Sequence, residues 1–359
     1  MRICRGCGAT ALRTVLDLGR VPAADYFPPA NEPVGPTESA HPLAMALCAE
    51  CALAQLIDDD TVTQEPRGVE PQALRDQAVD AVSRVAAVGC LRGDSVTEFG
   101  SPHGGTWLPL LRERGYAESQ DGTPAAVVLD SFGIMHEPDQ RAAFAARAAA
   151  TAPDGVLLLQ FHSLAAIVTH GQWNALRHGH FAYYSLHALT GLLADAGMSV
   201  ATAWEFDLYG GTVLVAAVHG QVTPSAQAAD ILAAEAALGI TDAGIVAGLQ
   251  KSLDSQVHDL REWLHKETDD GRRVYGYSAA SRAVALFSLA GVDRNLVTAV
   301  ADASPAKQGR RMPGTDVPII DPDELISAAP DLVLLTLPDL LPEVSRAMPQ
   351  LDGRWVVRA

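Results

Sequence analysis

At 359 residues the chain is too long for one ordinary domain and fits two or three. With 48% hydrophobic and 19% charged residues it has the balance of a globular protein that can fill real cores. A formal net charge of −17 sets its surface against nucleic-acid phosphates and anionic lipid, which argues against both as partners.

The first residues, MRICRGCGATALRT, carry charge but run into no apolar segment, so they do not read as a signal peptide. No stretch reaches the roughly 18–20 consecutive apolar residues of a membrane span, and the expected setting is cytoplasmic. Residues 1–66 read as a separate module. They are rich in Pro and Gly, and Pro28, Pro29, Pro33 and Pro36 argue against a helix. They also hold Cys4-x-x-Cys7 and Cys48-x-x-Cys51, four of the five cysteines. Two such turns can present four thiolates to one tetrahedral Zn²⁺, and with no His or Glu beside them the site should be closed and structural. Buried free thiols or a disulfide pair are the other uses of these residues; spacing and compartment favour zinc. Cys90 has no partner in sequence and reads as a buried apolar residue.

Residues 67–222 alternate strands and helices, which predicts a mainly parallel sheet flanked by helices. The expected elements are a helix at Gln72–Ala87, a strand at Ser95–Phe99, a helix at Thr106–Arg114 and a strand at Ala125–Leu129. An alanine-rich helix follows at Arg141–Ala152, then a strand at Gly155–Gln160 and a helix at Leu186–Ala196. Strands at Ser199–Phe206 and Thr212–Val218 close the block. The first strand ends in a turn containing Gly100, Ser101, Gly104 and Gly105 before a helix, a pattern that lets a ligand approach the backbone; a plain βα turn has the same spacing. Residues 223–270 read as a helical connector broken near Gly239. Residues 271–359 restart the alternation as a second α/β domain, with strands at Arg273–Tyr277, Leu296–Ala301 and Leu332–Thr336 and helices at Ala279–Ala290, Pro322–Ala328 and Leu340–Ala347. In this half Lys307, Arg310 and Arg311 follow a strand in an otherwise acidic protein. They form a candidate diphosphate grip, or a solvated basic loop. The turn Gly276–Arg282 opens a helix whose N-terminus offers a second place for phosphate.

Several ordered segments together resemble the nucleotide-deoxysugar C-methyltransferases. CRGCG, DLGRVPAADYF and LCAECALAQL are similar to that family's zinc module, and EFGSPHGGT to its first glycine motif. FGIMHEPD, NALRHGHFAYYSL and YGGTVLVAA are similar to its catalytic half. GYSAASRAVAL and DASPAKQGRRMPGTDVPI are similar to its C-terminal domain. The resemblance implies a Rossmann-like methyltransferase domain between the zinc module and a second Rossmann-like domain. It implies S-adenosylmethionine as cofactor, a nucleotide-linked keto-sugar as small-molecule substrate, a monomer or homodimer, and a role in secondary metabolism such as antibiotic biosynthesis. The implied chemistry is removal of a proton next to a ketone, with the enolate carbon attacking the methyl donor, which needs a base near neutrality and a donor for the enolate oxygen. By the family pattern His180 is the expected base and His136 the donor to the keto oxygen. His178 is a further candidate, and His162 and His103 are weaker ones. Arg177 and Tyr184 are placed at the substrate, although Tyr183 and Tyr184 are expected to pack rather than react.

Three departures stand against the family pattern. Arg177 and Gly179 stand where the family usually has a tyrosine and a glutamate. DDDTVTQEPRGVEP replaces an aromatic, glycine-rich segment. Only nine residues, Tyr116 to Pro124, separate the Thr106–Arg114 helix from the next buried strand, too few for the strand, helix and strand of a complete methyltransferase sheet. Strands two and three are therefore expected to be missing, and with them the acid that holds the cofactor ribose. Glu118 and Asp121 are poor replacements. Asp130 is better placed, or is a turn residue. The alternatives are an S-adenosylmethionine-independent epimerase, isomerase, lyase or cyclase on the same scaffold, and a non-catalytic scaffold protein.

Overall fold

The computed structural model describes residues 2–61, 70–101, 104–120 and 122–358. His103, Asp121 and most of the polar segment after Thr61 lie outside the described residues.

The first module is an antiparallel sheet of β1 (Leu12–Val21), β2 (His41–Cys48) and β3 (Ala54–Leu56). Val15, Leu18, Leu43, Met45, Leu47 and Leu56 give it one continuous core. Sequence reading found no strands here, because proline and glycine between the apolar positions obscure the alternation.

The middle of the chain then runs through α1 (Gln72–Ala87), β4 (Ser95–Phe99), α2 (Leu108–Arg112), β5 (Ala117–Glu118), β6 (Ala125–Ser131), α3 (Gln140–Ala150) and β7 (Thr151–His162). It continues through α4 (Leu164–Thr169), β8 (Ala182–Tyr183), α5 (Leu186–Asp195), β9 (Met198–Phe206) and β10 (Thr212–His219). Six strands form one sheet in the order β5-β4-β6-β7-β10-β9, parallel except that β10 runs antiparallel to both neighbours. Alternation sends Val127 and Leu129 of β6 to one face, against Ala78, Val82 and Val85 of α1 and Leu111 of α2. It sends Val128 to the other face, with Phe144 of α3 and Leu189 and Leu193 of α5. The second core also takes in Cys4, Cys48 and Leu53, so the cysteine module is packed on the sheet's helices. At the β5 edge the pairing is only Ser95 with Ala117 and Val96 with Glu118. The two-residue β8 does not join this sheet. It pairs antiparallel with β3 as the fourth strand of the first module.

Next come α6 (Ala226–Leu238), α7 (Ala243–Val246) and the 22-residue α8 (Gly248–Asp269). Gly239, at φ +76°, ends α6 in the left-handed region that glycine alone enters without strain. Leu249 and Leu253 at the start of α8 lie in the first module's core, and Leu260 and Leu264 near its end lie in the C-terminal core. No single described helix is long and apolar enough to cross a membrane. The last block contains β11 (Val274–Tyr277), α9 (Ser281–Ala290), β12 (Val300–Ala301), β13 (Ile319–Ile320), α10 (Pro322–Ala328), β14 (Leu332–Leu335), α11 (Leu341–Ala347) and β15 (Trp355–Val357). Its five strands are all parallel, in the order β13-β12-β11-β14-β15. The strand expected at Leu296–Ala301 shortens to Val300–Ala301, because Leu296 and Val297 belong to a turn anchored on Asp293.

Arg311 fastens this block to the first module. Its guanidinium makes two bonds to Glu38, at 2.6 and 2.8 Å, and reaches the carbonyls of Glu32, Pro33 and Thr315. Burial alone would raise the Glu38 carboxyl, but Arg311 and the Gly314 amide overcome it and hold Glu38 below its ordinary value. The basic run expected to grip a diphosphate is thus partly used as a clasp. Removing one partner of a buried ion pair leaves the other charge uncompensated, at about 3–5 kcal/mol. Arg311→Ala should lower the free energy of urea unfolding by about that amount; a loss under about 1 kcal/mol would show that the clasp is dispensable.

Candidate active site and zinc centre

The four module cysteines converge. Their sulfurs all lie within 4.8 Å of one another, with Cys4 to Cys51 at 3.5 Å and Cys7 to Cys48 at 3.6 Å. Those separations exclude disulfides, whose sulfurs stand about 2.04 Å apart. They fit four thiolates around a single ion at about 2.3 Å each. Cys4 and Cys48 are buried and Cys7 and Cys51 half-buried, and no other His, Asp or Glu among the described residues joins the cluster. The donor set is that of a closed structural zinc site, and these four residues would hold the ion. Ala52, at φ 57°, turns the chain out of the second cysteine pair into β3.

From there the sheet leads to the histidines. β3 pairs with β8, setting Ala54 against Tyr183 and Gln55 against Ala182. The segment Arg177–Tyr183 is pinned along its length. The Gly179 amide donates to Asp59 at 2.7 Å, the Phe181 amide to the Met135 carbonyl at 2.7 Å, and the Leu56 amide to the Phe181 carbonyl at 3.2 Å. Gly179 sits at φ +77°, a conformation a glutamate would enter only with strain. The carboxylate that meets this loop is therefore Asp59, from the first module. His136 reaches the same loop, its Nδ1 2.9 Å from the Gly179 carbonyl, and its ring packs edge-on against His180 at 4.4 Å.

His180 lines a cleft of about 240 Å³ between the middle sheet and the C-terminal block. On one side stand Glu98, Phe99, Ser101 and Gly104–Trp107, the glycine turn after β4. On the second side stand Phe132, Met135, His162, Arg177, Tyr183 and Tyr209. The C-terminal block contributes Tyr277, Ser278, Ser281, Arg282, Asp302 and Lys307. Gly104 and Gly105, at φ +81° and +82°, need glycine for that turn. Glu98 folds the turn back by accepting the Thr106 hydroxyl and, at 2.8 Å, the Trp107 amide. Three of the non-glycine residues held at positive φ, Phe132, Tyr209 and Ser278, face this cleft. Such strain persists only where the surroundings over-determine it, and it gathers at functional sites.

His162 accepts a hydrogen bond from Arg282 on Nδ1 at 3.3 Å and lies 3.0 Å from Gln172 Oε1 through Nε2. The partners fix the tautomer with the proton on Nε2. Burial, with Arg282 alongside, holds this imidazole well below its ordinary value, so it is neutral. Arg282 itself is pushed down to about 10 by burial and by Arg177, and its guanidinium lies over the Tyr209 ring at 5.2 Å.

The residues singled out in the sequence thus divide. His180, Arg177, Ser101, Gly104, Gly105 and Lys307 line the cleft, and Gly100 precedes its turn. His136 stands behind His180 and is not a lining residue. His178 turns away: its Nε2 lies 3.1 Å from the Pro42 carbonyl, its ring packs on His41, and burial lowers its affinity for a proton. Tyr184 is buried in the helix-side core against Phe144 and Phe161, donating to Gln140, so it does not meet a substrate. Asp130 is also spent. It accepts the Gly133 and Ile134 amides at 2.7 and 3.0 Å and pairs with Arg147 at 2.9 Å, a turn anchor under β6 rather than a cofactor ligand. Arg310 donates to the Phe27 and Ala306 carbonyls and Arg311 to Glu38, so only Lys307 of the basic run reaches the cleft. Glu118, on the short β5, pairs with Arg112. Sequence reading missed Asp59, Asp302 and Tyr209. It singled out the turn that opens α9, but not Arg282 within it.

Two family models match the chain, "C-methyltransferase C-terminal domain" over residues 207–358 and "Putative zinc binding domain" over residues 4–65. The curated protein "C-methyltransferase NovU" of Streptomyces niveus is 26% identical over 403 residues, covering 99% of this chain and 94% of that protein. The chain is thus similar to C-methyltransferases of this kind over nearly its whole length. The alignment is longer than the chain, so that relative carries residues with no counterpart here. Among solved structures, an O-methyltransferase family protein from Burkholderia thailandensis is 17% identical, over 42% of this chain and 57% of that one, with a TM-score of 0.31. A 1,6-didemethyltoxoflavin-N1-methyltransferase from the same organism is 13% identical, over 47% and 96%, with a TM-score of 0.32. The zinc-binding match takes in all four clustered cysteines.

The neutral histidines set a pH dependence. His162 binds its proton less readily folded than unfolded, where its value is about 6.5. Stability is therefore full above about pH 6.5 and falls as pH drops below it, because the unfolded chain takes up the proton first. Urea-unfolding free energies should decline from pH 7.5 to 5.5, and His162→Gln should flatten that decline; an unchanged slope would show that His162 titrates normally.

Proposed function

We propose that this chain transfers a methyl group to the carbon next to a ketone, on a nucleotide-activated keto-deoxysugar or a related natural-product intermediate. One observation carries the reading: the glycine turn after β4 and His180 line the same cleft. S-adenosylmethionine, when bound, supplies the electrophilic methyl group, and the backbone of Ser101 and Gly104–Thr106 with Glu98 would hold it. His180 removes the α-proton. His136, packed edge-on behind it and tied to the Gly179 carbonyl, acts as a positioning residue for the loop that carries the base. The negative charge left on the substrate oxygen meets the cationic wall of Arg177 and Arg282. Tyr183 holds the Arg177 amide through its hydroxyl and donates to the Ala175 carbonyl, so it shapes the cleft rather than moving a proton.

A second reading has its own observation. β5 is two residues long and its acid is paired with Arg112, so the sheet edge that ordinarily borders a methyl donor is nearly gone. An enzyme with this edge keeps the enolisation apparatus and can serve epimerisation, isomerisation or elimination without a methyl donor. Calorimetric titration of the zinc-replete protein with S-adenosylmethionine and S-adenosylhomocysteine separates the two. Micromolar binding supports methyl transfer, and no binding by the folded protein supports the donor-free enzyme. Under either reading His180→Ala should lower turnover, or deuterium uptake from D₂O into a ketone substrate, by about 10²–10⁴-fold with zinc content unchanged. Full activity in that variant would remove His180 from the chemistry.

A further inference from the structure

Arg177 and Arg282 stand together in the cleft without a counter-ion. Among the described residues neither has a carboxylate within ion-pair distance. Arg177 Nη1 donates to the Ser281 hydroxyl, and its Nε is buried with no hydrogen-bond partner. Arg282 donates to a neutral imidazole and lies over the Tyr209 ring, and neither neighbour carries charge.

The nearby acids are committed elsewhere. Glu98 accepts Thr106 and Trp107, Asp302 accepts the Ala279 and Ser304 amides at 2.7 and 2.8 Å, and Glu343 accepts the Gln72 amide at 3.0 Å. Asp339 accepts the Tyr209 amide at 3.2 Å and acts on Arg282 only at longer range, with no ion-pair contact. Two adjacent half-buried guanidiniums repel each other and are costly to hold without a facing anion. A transient enolate does not compensate them before turnover begins. A group that arrives with the ligand does, and a guanidinium fork is shaped for the two oxygens of a carboxylate or phosphate. The first turn of the ten-residue α9, with Ser281, borders the same place.

We propose that Arg177, Arg282 and Ser281 form an oxyanion subsite beside His180, and that the natural substrate carries a permanent carboxylate or phosphate group there. This rests on the cleft being the substrate site, but not on methyl transfer.

The test is calorimetry on the zinc-replete protein without any methyl donor, using inorganic pyrophosphate and malonate as probes. At least one should bind with a submillimolar dissociation constant. Arg282→Gln and Arg177→Gln should each weaken that binding about tenfold or more, Arg282→Lys should keep part of it, and Arg310→Gln, outside the cleft, should leave it unchanged. Pyrophosphate binding alone assigns a phosphate oxyanion, and malonate binding alone assigns a carboxylate. No binding of either probe to the folded wild-type protein overturns the proposal, as does binding that neither arginine variant affects. Anion binding by a protein that does not bind S-adenosylmethionine would sink methyl transfer and leave the subsite standing.

Discussion

The pairing of β8 with β3 is the constraint on which the site depends. It makes the segment that carries Arg177 and His180 an edge of the cysteine module's sheet rather than a free loop of the middle domain. The register of β3 is set just upstream by the turn through Cys48 and Cys51, and that turn is closed by Cys4 and Cys7. The strands have an apolar core of their own, and the metal held by the thiolates would fix the turns at their ends. The zinc centre is structural in chemistry, yet its geometry is passed through three strand residues to the proposed base. Asp59 and the Met135 carbonyl complete the hold, one from the module and one from the middle domain. The base thus sits on a short turn running into β8 and pinned from two sides, so regular structure next to it limits its movement.

The second organising fact is the division of charge. The protein carries a formal −17, and its cleft is lined by both signs, with Arg177, Arg282 and Lys307 facing Glu70, Glu98, Asp302 and Glu343. Three of these carboxylates, Glu98, Glu343 and Asp302, are turned onto backbone amides, where they secure the glycine turn, the start of α1 and the turn into α9. The cations are held by neutral neighbours: a histidine, a serine hydroxyl, an aromatic face and, for Lys307, the Ala279 carbonyl and the Phe27 ring. An acidic exterior repels polyanions, while the arginines leave a local place for a small anion.

Much of this was legible in the sequence. Two Cys-x-x-Cys pairs have few uses in a reduced chain, and strict alternation placed most strands of the middle sheet within one or two residues. Gln72–Ala87 was readable because Ala78, Ala81, Val82 and Val85 recur at helical spacing. Where side-chain partners decide function, the sequence misled. Arg310, Arg311 and His178 are the right residue types in the right neighbourhoods, but each is bound to a group brought from far along the chain, while Asp130 is taken up by its own turn and by Arg147 of α3. Arg311 meets Glu38 and His178 meets Pro42. No local pattern reports such partners. Asp59 was invisible for the same reason: it is one of three consecutive aspartates, and only the fold selects it.

The reduced sheet edge decides what the cofactor end of the cleft can be made of. In a complete methyltransferase sheet the acid that meets the donor's ribose is implied to stand at the end of the strand beyond β4. Here that strand is β5, and its acid, Glu118, is exposed and committed to Arg112. Besides Glu98, a second carboxylate reaches the glycine turn from the segment before α1: a side chain added at Gly105 would meet Glu70 Oε1 at 2.7 Å. Glu70 and Glu343 both line this end, and both come from outside the parallel sheet, one just ahead of α1 and one from α11 in the C-terminal block. Any affinity for a methyl donor must therefore be built from the turn's backbone, Glu98 and groups borrowed from neighbouring elements. The family models match the zinc module and the C-terminal part, and neither contains that turn. The affinity for the donor, rather than the ancestry of the chain, is what separates methyl transfer from enolisation alone.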